Sequence, residues 1–563
     1  LGLRYEYFTV LNERDSLELT PVLNSGGLVS TLLSDATLDF AGKSAGRPFY
    51  KPDRNNFAPN IGLAWDVFGK GKTSLRAGYS VHFVNDDTIA SILNNIESPN
   101  QGLVGQSFDI GLSGTLSANR PAVLKPIFQV PRKQSDNYAD DPTSALGIPD
   151  PNLRTPYVQS WTVGIQHEVK NTIFELRYVA NHAVKLLRAF DYNQVVIKEN
   201  GFLDEFNRAL NNGNLARTAT GVFDPRFNQA IAGSQRLALF DQFTQRGSLT
   251  NTKVKGLIEQ GQVGELAYYY QLNGYSAPIN LFRNPVVLGA DVMTNFSNSS
   301  YNSLQFDVRR RLSSGLQFQG NYTFSKVLSD ADGDEYTRFQ PFLDVNNGKI
   351  ERARAPFDIR HSIKSNWSYD LPMGKSRTIS AGRWNPALSG WTIGSLMTWQ
   401  SGAPFSILSA RGTLNRGARS FYNTAITTLT GSQLDNLIGF RMTGDGPYLL
   451  DKSIIGPDGR AVAADGAAPF AGQVFFNPGP GQIGSMQRRM FSGPWIFDMD
   501  AQIMKTTPIT ERQSIIFNMI VGNVFNHPAF FTGDLNINST KFGQVTGMFT
   551  GRRVIQFQLT YKF

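Results

Sequence analysis

The sequence predicts an all-β fold: a transmembrane antiparallel β-barrel, with about 13–14 strands in this chain and long extracellular loops. Three observations carry the expectation. Apolar and polar residues alternate strictly within short segments; short and long connections alternate between those segments; and no apolar run approaches the roughly 18 to 20 residues that a membrane helix needs. Mean hydropathy is only -0.25 although the chain holds 40 Phe and 19 Tyr. The 53 Gly, with Asn- and Ser-rich stretches between the segments, fit an all-β chain with many turns.

Taken in chain order, the first segment, LGLRYEYF, starts inside a strand and has no Met, no basic n-region and no apolar h-region, so the sequence is expected to be truncated at its beginning. After a loop over 12–56, Ile61, Leu63, Trp65 and Val67 alternate with Gly62, Ala64 and Asp66. A Gly-Lys turn leads to Leu75, Ala77, Tyr79, Val81 and Phe83, set against Ser74, Arg76, Gly78, Ser80 and His82. Beyond a loop over 84–155, Trp161, Val163 and Ile165 oppose Thr162, Gly164 and Gln166, and a turn at Lys170 and Asn171 leads to Phe174, Leu176 and Tyr178 against Glu175 and Arg177. After the longest loop, 182–300, Leu304, Phe306, Val308 and Leu312 oppose Ser303, Gln305, Asp307, Arg309 and Arg311. The turn Ser313–Gly315 then gives a strand with Leu316, Phe318, Tyr322 and Phe324 on one face.

A loop over 328–357 precedes strands at 358–370 and 388–401, the second with Trp391, Ile393, Met397 and Trp399 outward. The loop 402–493, strands at 494–506 and 512–524, and the loop 525–551 lead to the last strand. There Ile555, Phe557, Leu559, Tyr561 and Phe563 share one face. Alternate residues of a strand point to opposite faces, so a membrane barrel shows lipid one set and its lumen the other. Short turns belong to the periplasm and long loops to the outside, which makes residues 1–563 one barrel domain with a periplasmic C-terminus. A soluble sandwich or propeller is the competing reading, and it lacks both the loop rhythm and a fixed blade period.

The net charge of +9 comes from 54 basic and 45 acidic residues that are interspersed, which argues against nucleic acid. Such a surface suits outer-membrane lipid and lipopolysaccharide, or merely a solvated exterior. Cysteine is absent, excluding disulfides and the common zinc sites. Five scattered His form no HExxH motif, and no nucleophile, base and orienting group can be assembled, so an enzyme is not expected. Gly479, Gly481 and Gly484 match GxGxxG but open no helix and read as a Pro-rich turn. Asp330, Asp332, Asp334 and Glu335 alternate in a loop and have the oxygen donors for a calcium ion; a solvated loop is the alternative, and no cofactor is otherwise expected. Arg76, Glu168, Glu175, Arg177, Asp307, Arg309 and Arg311 are expected to face the lumen, paired with one another or poised for a solute. Residues 201–212, GFLDEFNRALNN, form the one clear helical window.

Several stretches resemble the Oar-like branch of TonB-dependent outer-membrane receptors over nearly the whole chain. They are NNFAPNIGLAWDVFGKGKTSLRAGYSVHF, TPYVQSWTVGIQHEV, GFLDEFNRA, SSYNSLQFDVRRRLSSGLQFQGNYTFSKVLSD, PFDIRHS and GNVFNHPAFF. The resemblance implies a parent barrel of about 22 strands with a plugged lumen, and an N-terminal carboxypeptidase regulatory-like domain, parts with no counterpart in these residues. It implies that Phe563, with Tyr561, Leu559 and Phe557 before it, is the signal read by the barrel assembly machinery. It also implies energised uptake of a large scarce solute in the bacterial outer membrane, with TonB engaged through the N-terminal part. The alternative is a surface, adhesion or export-associated barrel without active import.

Overall fold

The computed structural model describes residues 1–84, 92, 103–104, 127–243, 247–275, 279–331, 342–374, 378–380, 382–420 and 423–563. One sheet of 14 strands dominates it. Twelve strands run in series, each hydrogen-bonded to its sequence neighbour: β1 (Gly2–Glu6), β2 (Asn56–Asp66), β3 (Thr73–Phe83), β4 (Tyr157–Val169), β5 (Thr172–Asp191), β6 (Gly289–Ser313), β7 (Leu316–Ser329), β8 (His361–Asp370), β9 (Trp391–Gln400), β10 (Ile496–Pro508), β11 (Ser514–Gly522) and β12 (Val554–Lys562). All of these pairings are antiparallel, and β1 and β12 are the two edges. Two short strands complete the fourteen: Ala145–Pro149 runs parallel to β6, and Ala353–Arg354 pairs with β7.

The hairpins are tight where the sequence supplies residues that accept positive φ. Lys170 (φ +53°) turns β4 into β5; Ser314 (φ +54°) and Gly315 (φ +80°) turn β6 into β7, the pair of left-handed residues that matches strand twist. Gly315 is required there, since a Cβ would lie 2.7 Å from the Asp370 carbonyl oxygen.

Along its alternating segments the sheet leaves its apolar face unpacked among the described residues. Leu63 is 57% exposed, Trp65 53% and Val163 50%, and Ile165, Leu176, Phe306 and Leu559 are exposed with them. The registers align these residues across strands, as in Leu63↔Ala77, Val163↔Tyr178, Leu176↔Phe306 and Phe306↔Tyr322. A soluble sheet would bury such a face; a membrane barrel turns it to acyl chains. No helix among the described residues is long and apolar enough to cross a membrane.

β5 and β6 overturn the expected limits of the longest loop, 182–300, which shrinks to residues 192–288. With 20 and 25 residues at about 3.3 Å each, they extend well past a hydrocarbon layer of roughly 30 Å. Register shifts between Ala183 and Arg188 mark the change. Beyond it both strand faces are covered, with Ala189, Phe190, Ala290, Val292 and Met293 all buried, so the alternation that marks a half-exposed strand disappears.

The buried cores lie in the connections. α1 (Phe202–Thr220), α2 (Thr252–Glu259) and α3 (Val263–Leu272) pack Phe202, Phe206, Leu257, Leu266 and Tyr270 into one cluster. The helix read over 201–212 thus runs on to Thr220, where Gly221 in the left-handed region ends it. A second cluster joins the loops 402–493 and 525–551 through Phe405, Leu449, Phe475, Ile537 and Phe542. At the opposite end of the sheet, the connection between β8 and β9 closes with α4 (Asn385–Leu388).

Candidate functional site

On the polar face, the strand registers set one row of side chains beside the next, and the charged residues expected there meet only in part. Arg177 Nη2 lies 2.8 Å from Asp307 Oδ2 and its Nε 3.4 Å from Glu175 Oε1. The pairing Glu175↔Asp307 puts both carboxylates within reach of that one guanidinium. Gly164, opposite Arg177, makes room for it: a Cβ there would lie 2.8 Å from Arg177 Cγ. Arg76 is two strands away in the same row, Arg76↔Gly164↔Arg177. Glu168, Arg309 and Arg311 sit at the short-turn end, and none of these four makes an ion pair among the described residues.

Two adjoining clefts follow on the same face. One, of about 410 Å³, is lined by Asp307, Gln319, Asn321, Lys364, Asn366 and Thr398; the other, of about 430 Å³, by Gln317, Asn366, Ser368, Asp500, Gln502 and Ile520. Asn366 and Leu396 belong to both. Asp500 Oδ1 accepts the Asn523 N–H at 2.9 Å, and Gln502 Nε2 donates to Asn518 Oδ1 at 2.8 Å. The walls mix apolar surface from Trp367, Leu396, Met397 and Ile520 with amides, hydroxyls, one cation and two carboxylates, a surface suited to an occupant with both apolar and hydrogen-bonding groups. Lys364 and Asp500 were missed because their strands, 358–370 and 494–506, were read as ranges and not resolved into faces. The same alternation, followed on the polar face, finds them.

Above the sheet, buried ion clusters tie the loops together. Arg416 Nη2 lies 2.7 Å from Asp191 Oδ2, and Arg419 Nη1 2.7 Å from Asp291 Oδ1. Both aspartates stand on the extended ends of β5 and β6, and both arginines on the loop 402–493. Glu351 Oε2 accepts from Arg188 Nη2 at 3.0 Å and from Arg488 Nη1 at 2.7 Å, joining β5, the loop 330–360 and the loop 402–493. The guanidinium of Arg188 stacks on Phe342, 4.1 Å from the ring centroid.

Three of the sequence stretches singled out above acquire structural roles here. In PFDIRHS, Asp358 is fully buried, accepts the Val327 N–H at 2.6 Å and pairs with Arg354 Nε at 2.7 Å, closing the top of β7. In GNVFNHPAFF, Asn523 Nδ2 donates to the carbonyls of His527 and Gly551, stitching the start of the last loop to its end. In GFLDEFNRA, Glu205 is buried and its Oε1 accepts the Leu239 N–H at 2.7 Å. Of the residues read as a calcium loop, Asp332, Asp334 and Glu335 lie outside the described residues. Asp330 Oδ1 accepts the Asn298 N–H at 2.7 Å. Gly481 (φ +73°) donates to the Thr413 carbonyl in a loop, as the Pro-rich turn reading expects.

Burial by itself pushes the Asp191 carboxyl up. The guanidiniums of Arg419 and Arg416, with the Ala290 and Asn193 N–H groups, outweigh it and hold the group below the usual aspartate range. A carboxyl depressed in the folded state contributes its stability in full above the unfolded pKa, about 3.9, and loses it as the pH falls through the folded value. Protection of the segment around Ala290 from hydrogen exchange is therefore expected to exceed that of an Asp191→Asn variant above about pH 4 and to converge with it below. A gap between the two that stays constant across the acid range would count against this linkage.

The sequence model of the outer membrane beta barrel domain family matches residues 1–556. No curated protein matches the chain. Among solved structures, the chain is similar to the outer membrane transporter YddB from Escherichia coli, at 10% identity and a TM-score of 0.37, covering 97% of this chain and 48% of that one. A mutant of the ferric enterobactin receptor PfeA from Pseudomonas aeruginosa is similar at 10% identity and a TM-score of 0.34, covering 90% and 40%. The siderophore receptor PirA from Acinetobacter baumannii is similar at 10% identity and a TM-score of 0.34, covering 91% and 41%. The chain spans less than half the length of each of the three. A sheet with one greasy face, one polar face and a family match over nearly every residue identifies the chain as a member of the outer membrane beta barrel domain family, a family of membrane barrels and not of enzymes.

Proposed function

We propose that this chain is the barrel wall and external loop layer of an Oar-like, TonB-dependent outer-membrane receptor, which binds a large scarce solute at the cell surface and takes it up with energy delivered through TonB. The observation that carries this reading is the pair of clefts, about 430 and 410 Å³, on the polar face of a sheet whose other face is apolar and exposed. Clefts on a barrel's inner wall lie along the route of whatever passes through it. In this reading the short turns and Phe563 are periplasmic, the loops face outward, and Phe563, Tyr561, Leu559 and Phe557 form the strand end read by the assembly machinery.

A surface or adhesion role is favoured by a different observation. The loops fold around cores of their own, including the cluster of Phe202, Phe206 and Tyr270, which gives them a fixed surface to present. Accumulation of a candidate ligand by cells carrying the full-length protein, with and without TonB, separates the two. Import predicts that accumulation is lost without TonB while binding at the surface persists. Equal accumulation in both strains would sink the import reading, and binding without accumulation in either would establish the adhesive one.

A further inference from the structure

We propose that the turn Gly382–Leu388 is an amphipathic anchor whose partner is the phospholipid surface at the short-turn rim of the barrel. Short turns at that rim need few residues, yet the connection between β8 and β9 is long and folds into a 3₁₀ turn and then α4. Its position is fixed by two side chains on the outward face of the sheet. Trp391 and Lys505 are register partners, in line with the outward Ile393, Met397 and Trp399 and with Phe497, Met499 and Ile503. Lys505 Nζ donates to the carbonyls of Pro386, Ala387 and Ser389 at 3.1, 2.7 and 3.0 Å, and Trp391 Nε1 donates to the Ala387 carbonyl at 2.9 Å. The end of the turn is therefore clamped over the lipid-facing side.

Gly390 permits the close approach. Its φ is +73°, and a Cβ would lie 2.2 Å from the Thr506 carbonyl oxygen. The clamped segment then exposes what an interfacial segment needs: Trp384 is 60% exposed and Leu388 39%, with Ile379, a few residues before it, 50% exposed, and the Arg383 guanidinium lies 5.6 Å from the Trp384 ring centroid. An indole and apolar side chains beside a cation suit the zone where acyl chains meet phosphate. The surface is continuous with the face that family membership gives to lipid, which selects lipid over a protein partner. The leaflet, the inner one, rests on the orientation given under Proposed function.

The chain has no cysteine, so single labels can be placed without background. A bimane on Leu388→Cys, and separately on Ile379→Cys, is read in the full chain reconstituted in phosphatidylethanolamine–phosphatidylglycerol vesicles, with Ile165→Cys as a reference on the outward face. The labels at Leu388, in the turn, and at Ile379, just before it, are both expected to lose at least about half their intensity to lipids brominated high on the acyl chain and to be shielded from aqueous iodide. Free quenching by iodide with no effect of bromolipid would place the turn in water and overturn the proposal. Protection from both quenchers would mean a covering protein, a second copy included, and would overturn it too. An Ile165 label untouched by bromolipid would instead show that the sheet itself is not in the bilayer, a failure of the barrel and not of the anchor.

Discussion

Replacing Glu351 by Ala is expected to release the loop layer from the sheet at a cost of about 3–5 kcal/mol. The carboxylate is 1% exposed, and it faces Arg188 and Arg488, whose side chains are 0% and 4% exposed. Removing it takes a shared carboxylate from between two buried guanidiniums, and the Leu343 N–H loses its acceptor, Glu351 Oε1, at 3.0 Å. Stranding a buried charge costs more than the pair itself contributes, because desolvation has already been incurred when the attraction disappears. Replacing all three residues by apolar ones of similar volume, Glu351→Leu with Arg188→Met and Arg488→Met, should therefore be far milder than the single change. The measurement is protease cleavage within 402–493 while the barrel remains folded, under conditions where opening and closing outpace cleavage. The single variant should be cut faster by roughly two to four orders of magnitude, and the triple variant much less so. Equal rates for wild type and Glu351→Ala would show that the cluster does not hold the loops.

Where a strand is half exposed, the sequence revealed it; where both faces are covered, it did not. From Ile61 to Phe83, from Trp161 to Tyr178 and from Ser303 to Phe324, every second residue meets a different solvent, and the alternation survives in the registers of β2 to β7. Residues 184–191 and 289–298 are equally strand, but their side chains are packed among loops, and Phe190, Ala290 and Val292 leave no period to read. The helix from Phe202 was legible because Phe202, Phe206 and Leu210 recur at four-residue spacing on the face turned to its neighbours. α3 was not, since VGELAYYYQL is apolar or aromatic around most of its circumference, with half of its residues buried. At the site, Arg177, Glu175 and Asp307 were legible as alternating charges, whereas their convergence depends on pairings between strands far apart in sequence. The clusters built by Arg416, Arg419 and Arg488 had no sequence signal, because isolated arginines in a loop of over 80 residues look the same whether solvated or buried.

The assignment of faces is tested most sharply by two neighbouring substitutions, Phe306→Arg and Thr323→Arg. Phe306 lies midway along the alternating part of β6, between Leu176 on β5 and Tyr322 on β7, and is 41% exposed. If acyl chains surround it, an arginine there must snorkel or draw water into the layer, at a cost of about 2–4 kcal/mol near the midplane. Thr323 lies one residue beyond Tyr322, on the opposite face, between Gln305 and Ser362 and with no charged register partner. An arginine at that position meets water and amides and should cost only a few tenths of a kcal/mol, as surface changes usually do. Both variants would be refolded into phospholipid vesicles and unfolded reversibly with urea, the difference between them being the quantity of interest. A gap of at least about 2 kcal/mol against Phe306→Arg is expected. If the two cost the same, or if Thr323→Arg is the worse, then the face called polar is the one that excludes water, and the clefts beside Lys364 and Asp500 could not line a route for a polar solute.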